Sequence, residues 1–243
     1  MVRELLKNLN QRSILTLPIL SILVLGMIGC VFEKDRLSQG ELLILGANQE
    51  LLKSTTNLDR YLDNILELNE EDLAAYIFDF KTYDEGIAKG QYFVNTYNFF
   101  EDHKSLLGEV EAQNKKALEL YQQALNKDID SIQKEYVLMK ISVINKYNEA
   151  VNTSKNLLEK QETFRRYLDN SLRQSMTTCE SCGGAPKSAT HVGWKTALPA
   201  DWMNANIFSL KDQISQTLAE AKAIDLEAEE IWAHKVKSNL EEA

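Results

Sequence analysis

The sequence predicts an all-α protein: an elongated antiparallel helical bundle, coiled-coil-like, with an N-terminal membrane segment. Three observations predict it. First, only Pro18, Pro186 and Pro199 occur in 243 residues, and none falls between residues 19 and 185. Average usage would give about 12 prolines, and turn-rich sandwiches and barrels draw heavily on Pro and Gly. Second, apolar residues recur at seven-residue spacing along the chain. Third, residues 13–32 carry no charge at all. With 44% hydrophobic and 26% charged residues the composition is globular, which excludes collagen-like, disulfide-dense and low-complexity classes.

The run from Ser13 to Phe32 is 20 residues long, and a helix of that length rises about 30 Å, the thickness of a hydrocarbon core. Arg3, Lys7 and Arg12 precede it against the single Glu4, and a balanced Glu33-Lys34-Asp35-Arg36 follows. The positive-inside bias places residues 1–12 in the cytoplasm and residues 33–243 outside. Met27-Ile28-Gly29-Cys30 resembles the cleavage box of bacterial lipoprotein signal peptides, where a small residue precedes a lipidated cysteine. The resemblance implies that residues 1–12 are a signal n-region and that Cys30 is the lipidation candidate. It covers the first 30 residues and implies no enzymatic family. Val31 and Phe32 extend the apolar run past the cysteine, as in an uncleaved signal anchor. Both readings hold the chain to a membrane through residues 13–32, with its bulk on the extracytoplasmic side.

Ile44, Leu51, Leu58 and Ile65, with Ala47, Thr55 and Leu62 as companions, predict an amphipathic helix over residues 36–67. Asn69 reads as an N-cap before Glu70, Glu71 and Asp72, and Leu68 and Leu73 have the spacing of a hydrophobic staple. A helix therefore starts near residue 70. Nine aromatics between Tyr76 and Phe100 make it a central element. Core packing is the plain reading of them and a Tyr-lined ligand pocket the sharper one. Gly86, Gly90 and Gly108 weaken this region and mark a kink or a close helix crossing. A third amphipathic stretch, Ser105–Leu125, either continues that helix or turns back.

The cleanest signal runs over residues 129–172. Ile129, Tyr136, Val143, Ala150, Leu157 and Phe164 are spaced by seven without a miss. Ile132, Met139 and Tyr167 form part of a companion row that Lys146, Thr153 and Lys160 interrupt. One strong and one partly polar seam suit an antiparallel bundle, and a helix over 129–176 would be about 70 Å long. Shorter helices cannot cover it throughout, which implies a partner chain or an exposed stripe. A last helix carries Ile207, Leu210, Ile214, Leu218, Ala221, Ile224, Ala228 and Ile231, starting after Pro199 with Asp201 as N-cap.

Residues 177–202 break the helical pattern as a loop-rich insertion holding Cys179, Cys182, Gly183 and His191. Covalent haem attachment would need His where Gly183 stands. A local disulfide between Cys179 and Cys182 suits an exported address. A Cys-x-x-Cys-Gly turn is also the turn of zinc ribbons. Cys179, Cys182 and His191 are then metal ligands, with His103, His234, a carboxylate or a second chain as the fourth. A redox pair wants a helix N-terminus, and this pair follows a helix. Trp194 and Trp202 would pin the insertion onto the bundle. No cofactor is expected beyond a possible zinc ion.

Lys and Arg number 27 against 36 Asp and Glu, without a basic patch, so nucleic acid is excluded as a partner. No phosphate loop, His-Glu-x-x-His pair or nucleophile elbow occurs, so no catalytic residue is assigned. The expectation is a non-enzymatic interaction or structural protein with a protein partner or self-association. The alternative is a sensor-like ligand- or metal-binding module using the Cys179/Cys182 turn or the aromatic helix.

Overall fold

The structure, a computed structural model, describes residues 37–66, 70, 87–88, 91, 97–180 and 200–241. They form α1 (Gln39–Ile65), α2 (Tyr97–Leu125), α3 (Ser131–Glu180), α4 (Ala200–Met203), a π-helical turn (Asn204–Phe208) and α5 (Ser209–Glu241). Among the described residues there is no strand. Helices α1 and α2 pack together, as do α2 with α3 and α3 with α5. At 50 residues α3 is about 75 Å long, and α2, α5 and the π-helical turn pack along it.

Side-chain pairs give the directions. On α1 and α2, Asn48 meets Tyr121, Ser54 meets Asn114 and Asn57 meets Gln113. One number rises as the other falls, so the pair is antiparallel. Lys104–Glu162 and Lys155–Glu111 make α2 and α3 antiparallel, and Lys235–Asp130 and Lys146–Glu220 do the same for α3 and α5. Between α1 and α3 the pairs Glu41–Gln133, Asn48–Tyr136 and Tyr61–Ser154 keep separations of 92, 88 and 93 residues. A near-constant separation means these two helices run parallel.

The seven-residue seams are core. On α1, Ile44, Leu51, Leu58 and Ile65 are buried, and so are Ile129 just before α3 and Tyr136, Val143, Ala150, Leu157 and Phe164 on it. The companion rows differ from the sequence expectation. Ile132 is 41% exposed, and Met139, Lys146, Thr153, Lys160 and Tyr167 are only half-buried. The rows that complete the buried face of α3 are Val137, Ile144, Val151 and Leu158 on one side and Gln133, Lys140, Tyr147, Ser154, Gln161 and Leu168 along its centre. On α1 the buried companions include Ser54 and Tyr61, and Thr55 lies at the edge. Apolar pattern alone chose the wrong neighbour because the central row is largely polar.

Helix ends are fixed by reciprocal caps. Ser38 Oγ accepts from the Glu41 N–H at 3.2 Å, and the Ser38 N–H donates to Glu41 Oε2 at 2.8 Å. The same box recurs on α3, where the Gln133 N–H donates to Asp130 Oδ1 at 2.8 Å and the Asp130 N–H to Gln133 Oε1 at 3.0 Å. Each satisfies donors that a helix start leaves orphaned. The two boxes are joined, because Gln133 Nε2 donates to Glu41 Oε1 at 3.0 Å. Lys235 of α5 closes onto Asp130. One hydrogen-bonded plate thus ties the starts of α1 and α3 to α5.

Several boundaries correct the sequence reading. Residues 177–180 are helical, so α3 carries Cys179 in its last turn and the helical pattern does not stop at residue 177. Asp201 lies inside α4 and is not an N-cap. Helix α2 runs without interruption through Ser105 and Gly108. A Cβ at Gly108 would meet nothing within 4 Å, so this glycine marks no close crossing. The close approach is at Gly40, where a Cβ would collide with the Ile129 side chain in the turn between α2 and α3. Between α4 and α5 the chain makes a π turn, with the Ser209 N–H bonded to the Asn204 carbonyl. It keeps Met203 and Ile207 buried together.

Among the described residues no helix is long and apolar enough to cross a membrane. Residues 13–32, Cys30 and most of the aromatic segment 70–96 lie outside them.

Gly40→Ala should lower the stability by about 1–3 kcal/mol through overpacking. Gly108→Ala should raise it by about 0.4–1 kcal/mol. Urea midpoints of the two variants should move in opposite directions.

Candidate functional site

The row Gln133, Lys140, Tyr147, Ser154, Gln161 and Leu168 faces the bundle axis, and each of its polar members but Tyr147 is over 95% buried. Buried polar groups must find partners or cost several kcal/mol each. The other helices supply most of them in layers, while the Ser154 hydroxyl and Gln161 Oε1 are buried without a hydrogen bond among the described residues.

The central layer surrounds Lys140. Its Nζ donates to Asp225 Oδ1 at 2.6 Å and also to Glu229 Oε1, both on α5. It lies 5.3 Å from the centre of the Tyr136 ring, within cation–π range. The Tyr136 ring stacks at 4.7 Å on Trp232 of α5. The Tyr136 hydroxyl donates to Asn48 Oδ1 at 3.0 Å, and the Tyr121 hydroxyl donates to the same oxygen. Four helices therefore meet at one cluster. Burial alone would push the Lys140 ammonium toward neutrality, but the Asp225 and Glu229 carboxylates outweigh it and raise its pKa. Burial, with the nearby carboxylates, pushes the Tyr136 phenol well above its ordinary value. Burial does the same to Tyr121, with the neighbouring Tyr136 and the two carboxylates acting in the same direction. Lys140 stays charged and both phenols stay protonated, so this cluster offers neither a neutral amine nor a phenolate for chemistry.

Toward the middle, Ser54 Oγ donates to Asn114 Oδ1 at 2.5 Å, and Asn114 Nδ2 to Asn148 Oδ1 at 2.8 Å. This chain crosses α1, α2 and α3 in one layer. Beside it, Glu50 accepts from Lys53 and Lys116, each at 2.9 Å, and these bonds hold its carboxyl below the usual range. Further along, the Tyr61 hydroxyl donates to the Ser154 carbonyl at 3.2 Å, and its ring sits 5.7 Å from that of His103. At the last described layer Glu70, 1% exposed, accepts from Gln161 Nε2 and from Lys211 Nζ, both at 2.8 Å. Sequence reading placed Glu70 in a first helical turn, where the dipole favours acids; the structure makes it an inward carboxylate paired with a lysine 141 residues away.

The expected metal and disulfide residues are placed only in part. Cys179 sits in the last turn of α3, while Cys182 and His191 lie outside the described residues. Two proposed fourth ligands are excluded within one chain. His234 neighbours Lys235, which pairs with Asp130 at the start of α3, about 70 Å along the helix from Cys179. His103 is buried beside Tyr61, and its neighbour Lys104 pairs with Glu162, about 25 Å short of Cys179. Among the described residues no three His, Cys, Asp or Glu side chains are grouped to hold a metal. Trp202 packs half-buried against the core at the start of the last rod.

A shallow groove of about 520 Å³ runs along the outer side of α3, lined by Leu138, Met139 and Ile224 with Ser131, Lys134, Glu135 and Ser142. Leu138 is 56% exposed. No protein-family profile, curated protein or solved structure matches the chain.

Asn114→Ala should destabilise by about 1–3 kcal/mol by stranding buried Ser54 and half-buried Asn148. A double-mutant cycle with Ser54→Ala should be non-additive. Burial would raise the Asp130 carboxyl, but the Lys235 ammonium and the cap N–H groups more than offset it and hold it low. Its folded pKa lies below its unfolded value of about 3.9, so its contribution is present above that pH and fades as pH falls through the folded pKa. Melting temperatures from pH 5 to pH 2.5 should therefore fall less steeply in Asp130→Asn than in the parent.

Proposed function

We propose that this chain is a membrane-tethered extracytoplasmic helical protein with a non-enzymatic interaction or structural role, held at the membrane through residues 13–32. The observation that carries the interaction reading is the apolar outer side of α3, where Leu138 stands open beside the groove bordered by Met139 and Ile224. An exposed Leu138 that adjoins the half-buried Met139 and Ile224 makes a continuous apolar patch, and such patches mark contact surfaces more often than isolated side chains do. The titratable groups of the interior favour the same reading, since Lys140, Glu70 and Glu50 are all consumed in pairing between helices. The tether rests on the uncharged run and on the basic residues before it.

The contact surface is not the heptad seam. Val143 and Leu157 are fully buried within one chain, so lysine at either would unfold the bundle. Leu138→Lys is the informative change. It should leave the melting temperature nearly unaltered, as surface substitutions stay within about 0.5 kcal/mol. It should shift the full-length chain in detergent from dimer toward monomer in sedimentation. A parent chain that sediments as a monomer would sink self-association. Intact mass of the native N-terminus tests the tether: a lipid adduct on Cys30, or Met1 retained with membrane recovery, supports it, and recovery in the soluble fraction without either removes it.

A further inference from the structure

We infer that α5 is a releasable helix, clipped onto the bundle by charge pairs, which parts from α3 as a unit while α1, α2 and α3 stay packed. The inward face of α5 is unlike that of its neighbours. Among the described side chains of α5, residues 209–235, the fully buried apolar ones are Ile214, Ala221 and Ala228, with Thr217 between them and Lys235 beyond. Leu210, Leu218, Ile224 and Trp232 are only half-buried along its edges. Helix α1, of similar length, buries Ile44, Leu51, Leu58, Tyr61 and Ile65. An alanine methyl removes far less apolar surface from water than a large aliphatic or aromatic side chain.

What α5 lacks in apolar contact it replaces with ions. Lys140 takes Asp225 and Glu229, Lys146 takes Glu220, Asp130 takes Lys235 and Glu70 takes Lys211. These pairs run along the helix from Lys211 to Lys235. Ion pairs at a helix interface return hydration energy when they separate, because each charge regains its water. Apolar contacts return nothing. Undocking α5 is therefore the least costly opening among the described helices, of the kind that makes local stability uneven. It uncovers Tyr136 and Lys140, both buried in the closed bundle, and frees the half-buried Trp232 ring from Tyr136.

Native-state hydrogen exchange on the full-length chain in detergent tests this directly. In the parent, amides of residues 214–235 should exchange at least about tenfold faster than those of 44–62, 107–124 and 137–158, through an opening smaller than global unfolding. In Asp225→Asn/Glu229→Gln, which strands the Lys140 ammonium, exchange in 214–235 should rise by a further tenfold or so. The other three stretches should hold within about threefold. Adding Lys140→Met should restore protection, since an apolar side chain needs no counter-charge. Equal protection of all four helices in the parent would overturn the proposal, as would acceleration spread evenly over them in the double variant. If the double variant fails to fold, the parent measurement decides alone.

Discussion

Lys140 holds a positive charge inside the bundle, and Asp225 and Glu229 of α5 neutralise it. The arrangement around it follows from that need. An uncompensated buried charge costs about 3–5 kcal/mol, so the chain must bring carboxylates to this height and to no other. A heptad seam by itself permits slippage in steps of seven. Sliding α5 by one heptad would set Leu218 and Lys222 against Lys140 in one direction and Trp232 and Val236 in the other. Only the observed register opposes the ammonium with acids. The Ser54–Asn114–Asn148 layer and the Glu70–Gln161–Lys211 layer apply the same test to α1, α2 and the π-turned rod. Apolar burial holds the helices together, and the polar row of α3 tells them where to stop.

Much of the architecture was legible from spacing. The seams through Ile44 and Ile129 are core at every position, because a seven-residue apolar repeat has no other use at that length. The polar row was illegible for a reason the same repeat explains. Gln133, Lys140, Ser154 and Gln161 also recur at seven, but a polar residue is read as solvated until its partner is known. The partners of Lys140, Gln161 and Gln133 lie 85, 91 and 92 residues away in Asp225, Glu70 and Glu41. The caps are a different kind of oversight. Ser38-x-x-Glu41 and Asp130-x-x-Gln133 are local signatures, readable without any partner. The glycines show the limit from the other side. Gly40 and Gly108 look alike in sequence, and only the position of Ile129 separates the one that must be glycine from the one that need not be.

The candidate site was legible to a smaller degree. Cys179 and Cys182 stand out in any reading, and the structure contributes the helical turn that carries the first of them. That placement sets Cys179 where the carbonyl end of a long helix points outward, which discourages a thiolate. It also removes His103 and His234 from the ligand set by distance alone, a judgement the sequence had no means to make.

The joined caps have a consequence for reach. Residue 37 enters the bundle at the plate formed by Ser38, Glu41, Asp130, Gln133 and Lys235, and Cys179 lies at the opposite pole of α3. The two are fixed apart by a single unbroken rod, 48 residues from Ser131 to Cys179 and so about 72 Å. With residues 13–32 in a bilayer, the rod would work as a mast. It would set how far from the lipid its cysteine-bearing tip can touch another molecule, and lengthening α3 by one heptad would move that limit by about 10 Å.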